Sequence, residues 1–422
     1  MAGALACVQS SWRCCVARNM VRGRSISYRS FHDAIPAIKQ QPFVYRQEVH
    51  APMCSIRDLP CDFPATSSSQ PQAQSSSTLS KGRILLVDGS AVIFRAYYKV
   101  MAKAHHNLIP ELESEADWVL TVFTAFTTIL GLLDLSPSHF AVVFDHKGGF
   151  ADEQRCLTFR HTMFPEYKKN RPPTPDTIYQ GLDHLRPALV AMGIKVIEVP
   201  GVEADDVIAT LAVSAATSEM KVRIVSPDKD FFQILSPDIR LLRFVPKGAG
   251  MVSFGMEEFS ARFGSLEPAQ FVDVLSLIGD TCDNIPGKYY HTIDSRLRSI
   301  TCNIAGIPGI GEKTAIELIT KFGSVENLLQ QRDKVTTKRA LKGLLADKGE
   351  ALLSKRLVAL RADLPSYMLP FTMDDFIWRK VHDDGQRLFQ LLKAMSSFVD
   401  GEIHVELQDR ILGLWKKLET KP

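Results

Sequence analysis

The chain has 422 residues, 45% of them hydrophobic, enough to bury at least one large core. Its formal net charge is +3, but residues 1–80 alone carry eight Lys/Arg against four Asp/Glu, so overall basicity says nothing about nucleic acid and any such binding must come from local patches. No apolar run reaches the roughly 18–20 residues of a membrane span, and the Cys beyond residue 80 (Cys156, Cys282, Cys302) make neither a disulfide framework nor a zinc pattern and suit a reducing compartment.

The first 32 residues contain Arg13, Arg18, Arg22, Arg24 and Arg29 and no acidic residue. Arg-rich, Ser-rich and acid-free is the composition of a mitochondrial or chloroplast transit peptide; the Arg residues interrupt any secretory apolar core. An ordinary basic tail is the alternative. Residues 66–80 (TSSSQPQAQSSSTLS) are low-complexity and read as a linker. Residues 1–80 are therefore assigned to targeting and linker.

Strand-like runs then recur, each ending near a carboxylate. Residues 83–87 (RILLV) lead to Asp88 and 140–144 (FAVVF) to Asp145. Residues 194–199 precede Glu203, and 222–225 lead into Asp228. Helical patterns lie between them at 117–133, 176–192 and 204–217. The alternation predicts an α/β domain over 81–255, a mostly parallel twisted sheet with helices on both faces. Ligands of such sheets sit beyond the carboxyl ends of the strands, where these acids would collect. From about 256 the pattern turns helical, giving a second region over 256–372. Residues 373–422 read as a helical extension without a motif.

The acids that stand out are Asp88, Asp145, Glu203, Asp205, Asp206, Asp228, Asp230, Asp280 and Asp283. Converging on one cleft, they would repel unless cations were bound. Hard cations such as Mg²⁺ take oxygen ligands, and two of them about 4 Å apart can clamp an in-line displacement at phosphorus. Each acid alone has a plainer reading. Asp88-Gly89-Ser90 also fits a helix N-cap. Glu203 to Asp206 also fit acids favoured by a helix dipole. Recurrence at successive strand ends favours the metal site.

Residues 159–171 (FRHTMFPEYKKNR) bring together Arg160, Lys168, Lys169 and Arg171 with Phe164 and Tyr167. Cations over a cleft would stabilise a phosphoryl transition state, and the aromatics could stack on bases of an unpaired strand. The rival reading is a solvated basic loop with core aromatics. Further on, 306–315 (GIPGIGEKTA) precede a good helix. This is not a P-loop. Its glycines and helix N-terminus suit a backbone phosphate, with Lys313 adding a charge-assisted contact.

These segments, with 84–98 (ILLVDGSAVIFRAYY), 201–212 (GVEADDVIATLA), 224–235 (IVSPDKDFFQIL) and 277–287 (LIGDTCDNIPG), run in one order over about 80–370. In that order they resemble the 5′ nuclease domain of bacterial DNA polymerase I and, more distantly, the flap endonucleases. The resemblance implies a PIN-like 5′ nuclease fold followed by a helix-hairpin-helix region. It implies Mg²⁺-dependent hydrolysis of DNA 5′ ends, 5′ flaps and RNA primers by two ions, with Mn²⁺ able to substitute. Asp88, Asp145, Glu203, Asp205 and Asp206 would serve mainly the first ion, and Asp228, Asp230, Asp280 and Asp283 the second. Lys168 and Arg171 match the catalytic basic positions, beside Asp88 and Asp228. Arg160, Tyr167, Lys168, Lys169 and Arg171 would contact the threaded strand. Gly306, Gly309, Gly311, Lys313 and Thr314 would grip the duplex, with a K⁺ ion at the hairpin. With the targeting peptide, it implies a monomeric organellar enzyme, in chloroplast or mitochondrion, acting beside a separate DNA polymerase and without a membrane. Residues 288–305 depart from the pattern by intervening between the Asp283 segment and the Gly-rich loop, and read either as a surface insertion or as a translated intron. The rivals are a PIN-like ribonuclease and a DNA-junction binder without catalysis.

Overall fold

The computed structural model describes residues 82–106, 116–146, 157–245, 250–280, 283, 306–399 and 403–420. The expectations for residues 1–80 and for 288–305 lie outside them. Among the described residues no helix is long and apolar enough to cross a membrane.

Six strands form one sheet in the order β3-β2-β1-β4-β5-β6. They are β1 Arg83–Asp88, β2 His139–Asp145, β3 Lys195–Val199, β4 Lys221–Val225, β5 Ile239–Phe244 and β6 Met251–Phe254. All neighbours pair in parallel except β5 and β6, which form an antiparallel hairpin edge. The central strands are apolar throughout because both of their faces are covered. Ile84 and Leu86 enter one core with Ala141 and Val143. Leu85 and Val87 enter the other with Phe140, Val142 and Phe144. The strand order reverses at β1, between β2 and β4, so the crevice of this sheet opens at the carboxyl ends of those strands.

Helices α1 (Gly89–His105), α2 (Ala116–Leu133) and α4 (Asp176–Ala191) cover the second core. Between α2 and α4 lies the short α3, Phe159–Met163. Helix α5 (Ala204–Thr217) covers the opposite face. The same face carries α6 (Met256–Phe263), α7 (Phe271–Ile278), α8 (Glu312–Phe322), α9 (Val325–Gln330), α10 (Lys338–Ala346) and α11 (Glu350–Val358). Phe232 anchors this layer to the sheet edge. It stacks on Phe254 at 4.3 Å and meets Phe259, Phe263 and Phe271 edge-on or tilted.

The C-terminal region is helical, as its pattern predicts, in α12 (Gln386–Ser396) and α13 (Ile403–Glu419). It is no appendage. Leu388, Leu392, Met395, Leu407, Ile411, Leu414 and Trp415 complete the second core, packed with α2 and α4. The Trp378 indole N–H donates to Met192 O at 3.3 Å and ties the return path down. The described helical regions and the sheet cluster together in one unit, Ser80–Pro422.

Trp415 is 1% exposed, whereas Leu412 on the same helix is 42% exposed. Trp415→Ala is expected to cost about 3–5 kcal/mol of unfolding free energy by lost transfer and cavity terms. Leu412→Ala should stay within about 0.5 kcal/mol. Denaturant unfolding of the two variants checks this. Equal effects would remove α13 from the core.

Candidate active site at the strand ends

Asp88 ends β1 and is buried. Its Oδ1 accepts from the Ala91 N–H at 2.8 Å, capping α1, while Oδ2 accepts from the Ser226 hydroxyl at 3.0 Å. The cap and the cleft position are therefore both real. Asp145 ends β2, and its Oδ1 accepts from Ala204 N–H at 2.9 Å at the start of α5. Asp228 and Asp230 follow β4, linked by an Asp230 N–H bond to Asp228 Oδ1 at 3.0 Å. Asp280 lies just beyond α7.

Electrostatics show which acids converge. Burial pushes the Asp205 carboxyl well above its ordinary range, and Asp88, Asp228 and Asp145 add to the rise. Asp230 is also pushed well up, first by burial and then by Asp228 and Asp280. Its Oδ1 is buried without a hydrogen-bond partner. Negative charge thus accumulates around two positions that share Asp228, and an orphaned carboxylate oxygen points into one of them. Hard divalent cations fit this donor set. Among the described residues no three His, Cys, Asp or Glu stand close enough together to hold a metal ion as they are placed.

Asp283 is the reverse case. Burial would raise it, but Lys168 and Arg171 more than offset that and hold it below the ordinary carboxylate range. Arg171 pairs with Asp283 Oδ1. Lys168 donates through Nζ to Glu203 Oε1 at 2.7 Å and lies 3.8 Å from Asp283 Oδ2. Its backbone N–H donates to Asp283 O at 2.9 Å, and its φ of 55° lies in the left-handed region. Burial works against the Lys168 ammonium, yet Asp283 and Glu203 hold its pKa well above the ordinary value. Both cations thus pair with Asp283, and Lys168 with Glu203 as well. Lys169 is exposed and pairs with Glu166.

Three expected site residues are placed differently. Arg160 is 2% exposed. It donates to Glu203 Oε2 at 2.8 Å, to Asp206 Oδ2 and Oδ1 at 2.6 and 2.8 Å, and to the carbonyls of Leu357 and Ala359 at 2.8 Å each. It has no N–H left for a DNA phosphate. Asp206 is fully buried, held by Arg160 and by the Arg361 N–H at 2.9 Å. It acts as a counter-ion behind the cleft, and its expected role as a metal ligand does not fit this placement. Tyr167 is buried too, the one proton of its hydroxyl within reach of Glu203 Oε2 at 3.2 Å and Asp283 Oδ2 at 3.3 Å, so its ring is not a stacking platform. Glu203 meets the cleft already engaged by Arg160, Tyr167 and Lys168.

The Gly-rich loop is gripped from behind. A Cβ on Gly306 would stand 2.0 Å from Ile278 O, at a φ of 136°. One on Gly309 would stand 2.3 Å from the Arg339 side chain, at a φ of 88°. These two glycines are fixed by packing against α7 and α10, and Ile307 N–H donates to Leu277 O at 2.8 Å. Gly311 has nothing within 4 Å of its Cβ direction and stands at the N-cap of α8, with Lys313 exposed beside it. Lys229 joins the acids of the cleft without any motif having marked it. Burial opposes its charge, but Asp280, Asp230 and Asp228 raise its pKa; its only signal was its place between two Asp.

Comparison with known proteins gives the family of the chain. The model of the 5′-3′ exonuclease N-terminal resolvase-like domain matches residues 83–264, and that of the 5′-3′ exonuclease C-terminal SAM fold matches 301–384. DNA polymerase I of Bacillus caldotenax is 32% identical over 318 residues, covering 75% of this chain and 31% of that protein. Thermostable DNA polymerase I of Thermus thermophilus is 35% identical over 286 residues, covering 68% and 29%. The chain thus spans about a third of the length of the curated relatives it matches. The structure of the T5 D15 protein co-crystallised with metal ions aligns with a TM-score of 0.48 at 20% identity, over 75% of this chain and 100% of that one. With both domain models of one family matching in order over more than half its length, the chain belongs to the 5′-3′ exonuclease family.

Proposed function

We propose that this protein hydrolyses DNA phosphodiesters at 5′ ends and 5′ flaps, including primer RNA, with two Mg²⁺ ions that Mn²⁺ can replace. The observation that carries the reading is the uncompensated acid cleft: Asp205 and Asp230 are held against their own charge, and Asp230 Oδ1 is buried without a partner. Asp88, Asp145, Asp205 and Asp228 would hold one ion, and Asp228, Asp230 and Asp280 the other. Bound there, the ions supply Lewis-acid and nucleophile-activating chemistry.

The protein's own groups do the rest. Lys168 and Arg171 stabilise charge developing on the scissile phosphate, having first been oriented by Glu203 and Asp283. The open N-terminus of α8, with Gly311, Lys313 and Thr314, takes a backbone phosphate of the duplex, so binding is independent of sequence and sensitive to salt. A K⁺ ion at that loop, a monomeric state and a separate organellar DNA polymerase as partner belong to the same proposal. So does targeting to chloroplast or mitochondrion by residues 1–80; a reporter fused behind them should localise to an organelle, and a diffuse cytosolic signal would sink that part.

Metal binding has a readout apart from catalysis. A ligand of the folded state stabilises it by about 2.7 kcal/mol at a hundred times its Kd. The thermal midpoint of the full chain should therefore rise with Mg²⁺ or Mn²⁺ and fall back in EDTA. Asp230→Asn removes a buried like charge, so it should raise the midpoint in EDTA and flatten the metal response. No response in the wild type overturns the metal reading.

Activity is tested with labelled flap DNA, blunt duplex and single-stranded RNA in Mg²⁺. Flap cleavage is expected; RNA-only cleavage or binding without cleavage would establish one of the rivals instead. Lys168→Ala should lose about 10²-fold or more in single-turnover rate while flap affinity changes little. Weaker binding at an unchanged rate would refute its transition-state role.

A further inference from the structure

The nuclease reading gives Arg160 no part in the reaction, yet its guanidinium is buried and bonded on all sides. Every N–H of its guanidinium has an acceptor, drawn from separate stretches of chain: the acids at the start of α5, and the carbonyls of Leu357 and Ala359. Those carbonyls close α11 and begin the segment by which the chain leaves the hairpin helices. The same segment is fastened again on both sides. Arg361 N–H donates to Asp206, and Thr210 Oγ1 donates to Arg361 O at 3.1 Å. The Gln233 side chain donates to Val358 O at 3.1 Å and accepts from Leu360 N–H at 3.0 Å.

Glu203 stands between this clasp and the cleft. Its Oε2 belongs to Arg160, and its Oε1 to the Lys168 ammonium. The Lys168 backbone is separately pinned to Asp283 in a left-handed conformation. The end of its long side chain is thus set by Glu203, and the rotamer of Glu203 by Arg160. We propose that Arg160 is a positioning residue of the cleavage reaction, setting Lys168 through Glu203 only while residues 357–361 are seated against it. Helix α11 packs on α7, whose end holds the Gly306–Ile307 turn of the duplex-gripping loop. A duplex that settles the hairpin helices therefore settles the clasp, and the clasp settles the lysine. If residues 357–361 lift, Arg160 loses two acceptors and the orientation they impose, so its fork, and Glu203 with it, is no longer held in one position.

The proposal rests on the nuclease reading for its rate readout, so the experiment carries a second readout independent of cleavage. Arg160→Lys keeps the charge but not the planar fork that binds two carboxylates and two carbonyls at once. Gln233→Ala loosens the same segment while touching neither acid nor DNA. Both variants of the full chain would be assayed for flap affinity in EDTA, single-turnover cleavage in Mg²⁺, and acetylation of the Lys168 side-chain amine by acetic anhydride, read by peptide mass. For Arg160→Lys, affinity should stay within about two-fold while the rate drops by up to about 10²-fold, the loss typical of a catalytic group misplaced by an ångström. Acetylation at Lys168 should quicken as Glu203 releases it. Gln233→Ala should shift rate and acetylation in the same direction by less, and the double variant should fall short of additive. An unchanged rate in Arg160→Lys, or rate and affinity falling together with the folded fraction, overturns the proposal. Gln233→Ala with wild-type rate overturns the coupling to residues 357–361. If the wild type does not cleave, the nuclease reading fails by itself, and unchanged Lys168 acetylation in Arg160→Lys then overturns the positioning claim separately.

Discussion

The structure hangs on one buried ion pair. Arg160 and Asp206 meet through two hydrogen bonds behind the acid cleft, with Asp206 sealed from solvent. Burying two charges is expensive, and their attraction repays the cost only when the remaining hydrogen-bonding capacity is also met. Here it is met by backbone from another part of the chain: the carbonyls of Leu357 and Ala359 and the N–H of Arg361. The pair therefore does more than bind α3 to α5. It is complete only when the helical region lies in register on the sheet, so the acid-bearing helix and the hairpin helices are specified together.

In front of that pair the protein tolerates the opposite condition. Asp205 and Asp230 are half-buried among like charges, which disfavours the folded state, and the backbone at Lys168 adopts a conformation most residues avoid. Asp283, a few ångströms from two cations, is stabilised as a carboxylate instead. One cleft thus holds carboxylates in two electrostatic settings. Those crowded by other acids have charge left over for a cation. The one crowded by Lys168 and Arg171 is already neutralised, and it serves to aim those cations.

The strands and their terminal acids were legible in the sequence because two-faced burial leaves continuous apolar runs, and the turn after each run is where a parallel sheet presents its ligands. Strands β5 and β6 were not. In IRLLRF the arginines at positions 240 and 243 broke the apolar run, and only pairing with β4 makes it a strand. The adjacent acids of α5 show a finer limit. Asp205 and Asp206 are about 100° apart around a helix, so they cannot both face the cleft, and nothing local says which one does. The segment 159–171 misled in the same way. Its basic and aromatic composition matched a DNA-contacting loop, but Arg160 and Tyr167 turn inward, because their partners Leu357, Ala359 and Glu203 lie far away in sequence. The helices of 386–419 were readable as amphipathic, yet the face they complete belongs to α2 and α4.

The chain between the acid cleft and the Gly-rich loop enters and leaves at fixed posts. At one post Asp283 is tied through its carbonyl to the Lys168 N–H and through its carboxylate to Arg171 and Tyr167. At the other, Gly306 lies against Ile278 O with no room for a side chain, and Ile307 N–H bonds to Leu277. Pro308 is pressed on Gly343 of α10, whose own Cβ would stand 2.2 Å from its carbonyl oxygen. Each post is held by contacts among the described residues. Lengthening a connection between anchored ends costs only about 0.6 kcal/mol per doubling, which the packing of either post can absorb. The place of the Gly-rich loop relative to the end of α7 is therefore set by its close contacts with α7 and α10.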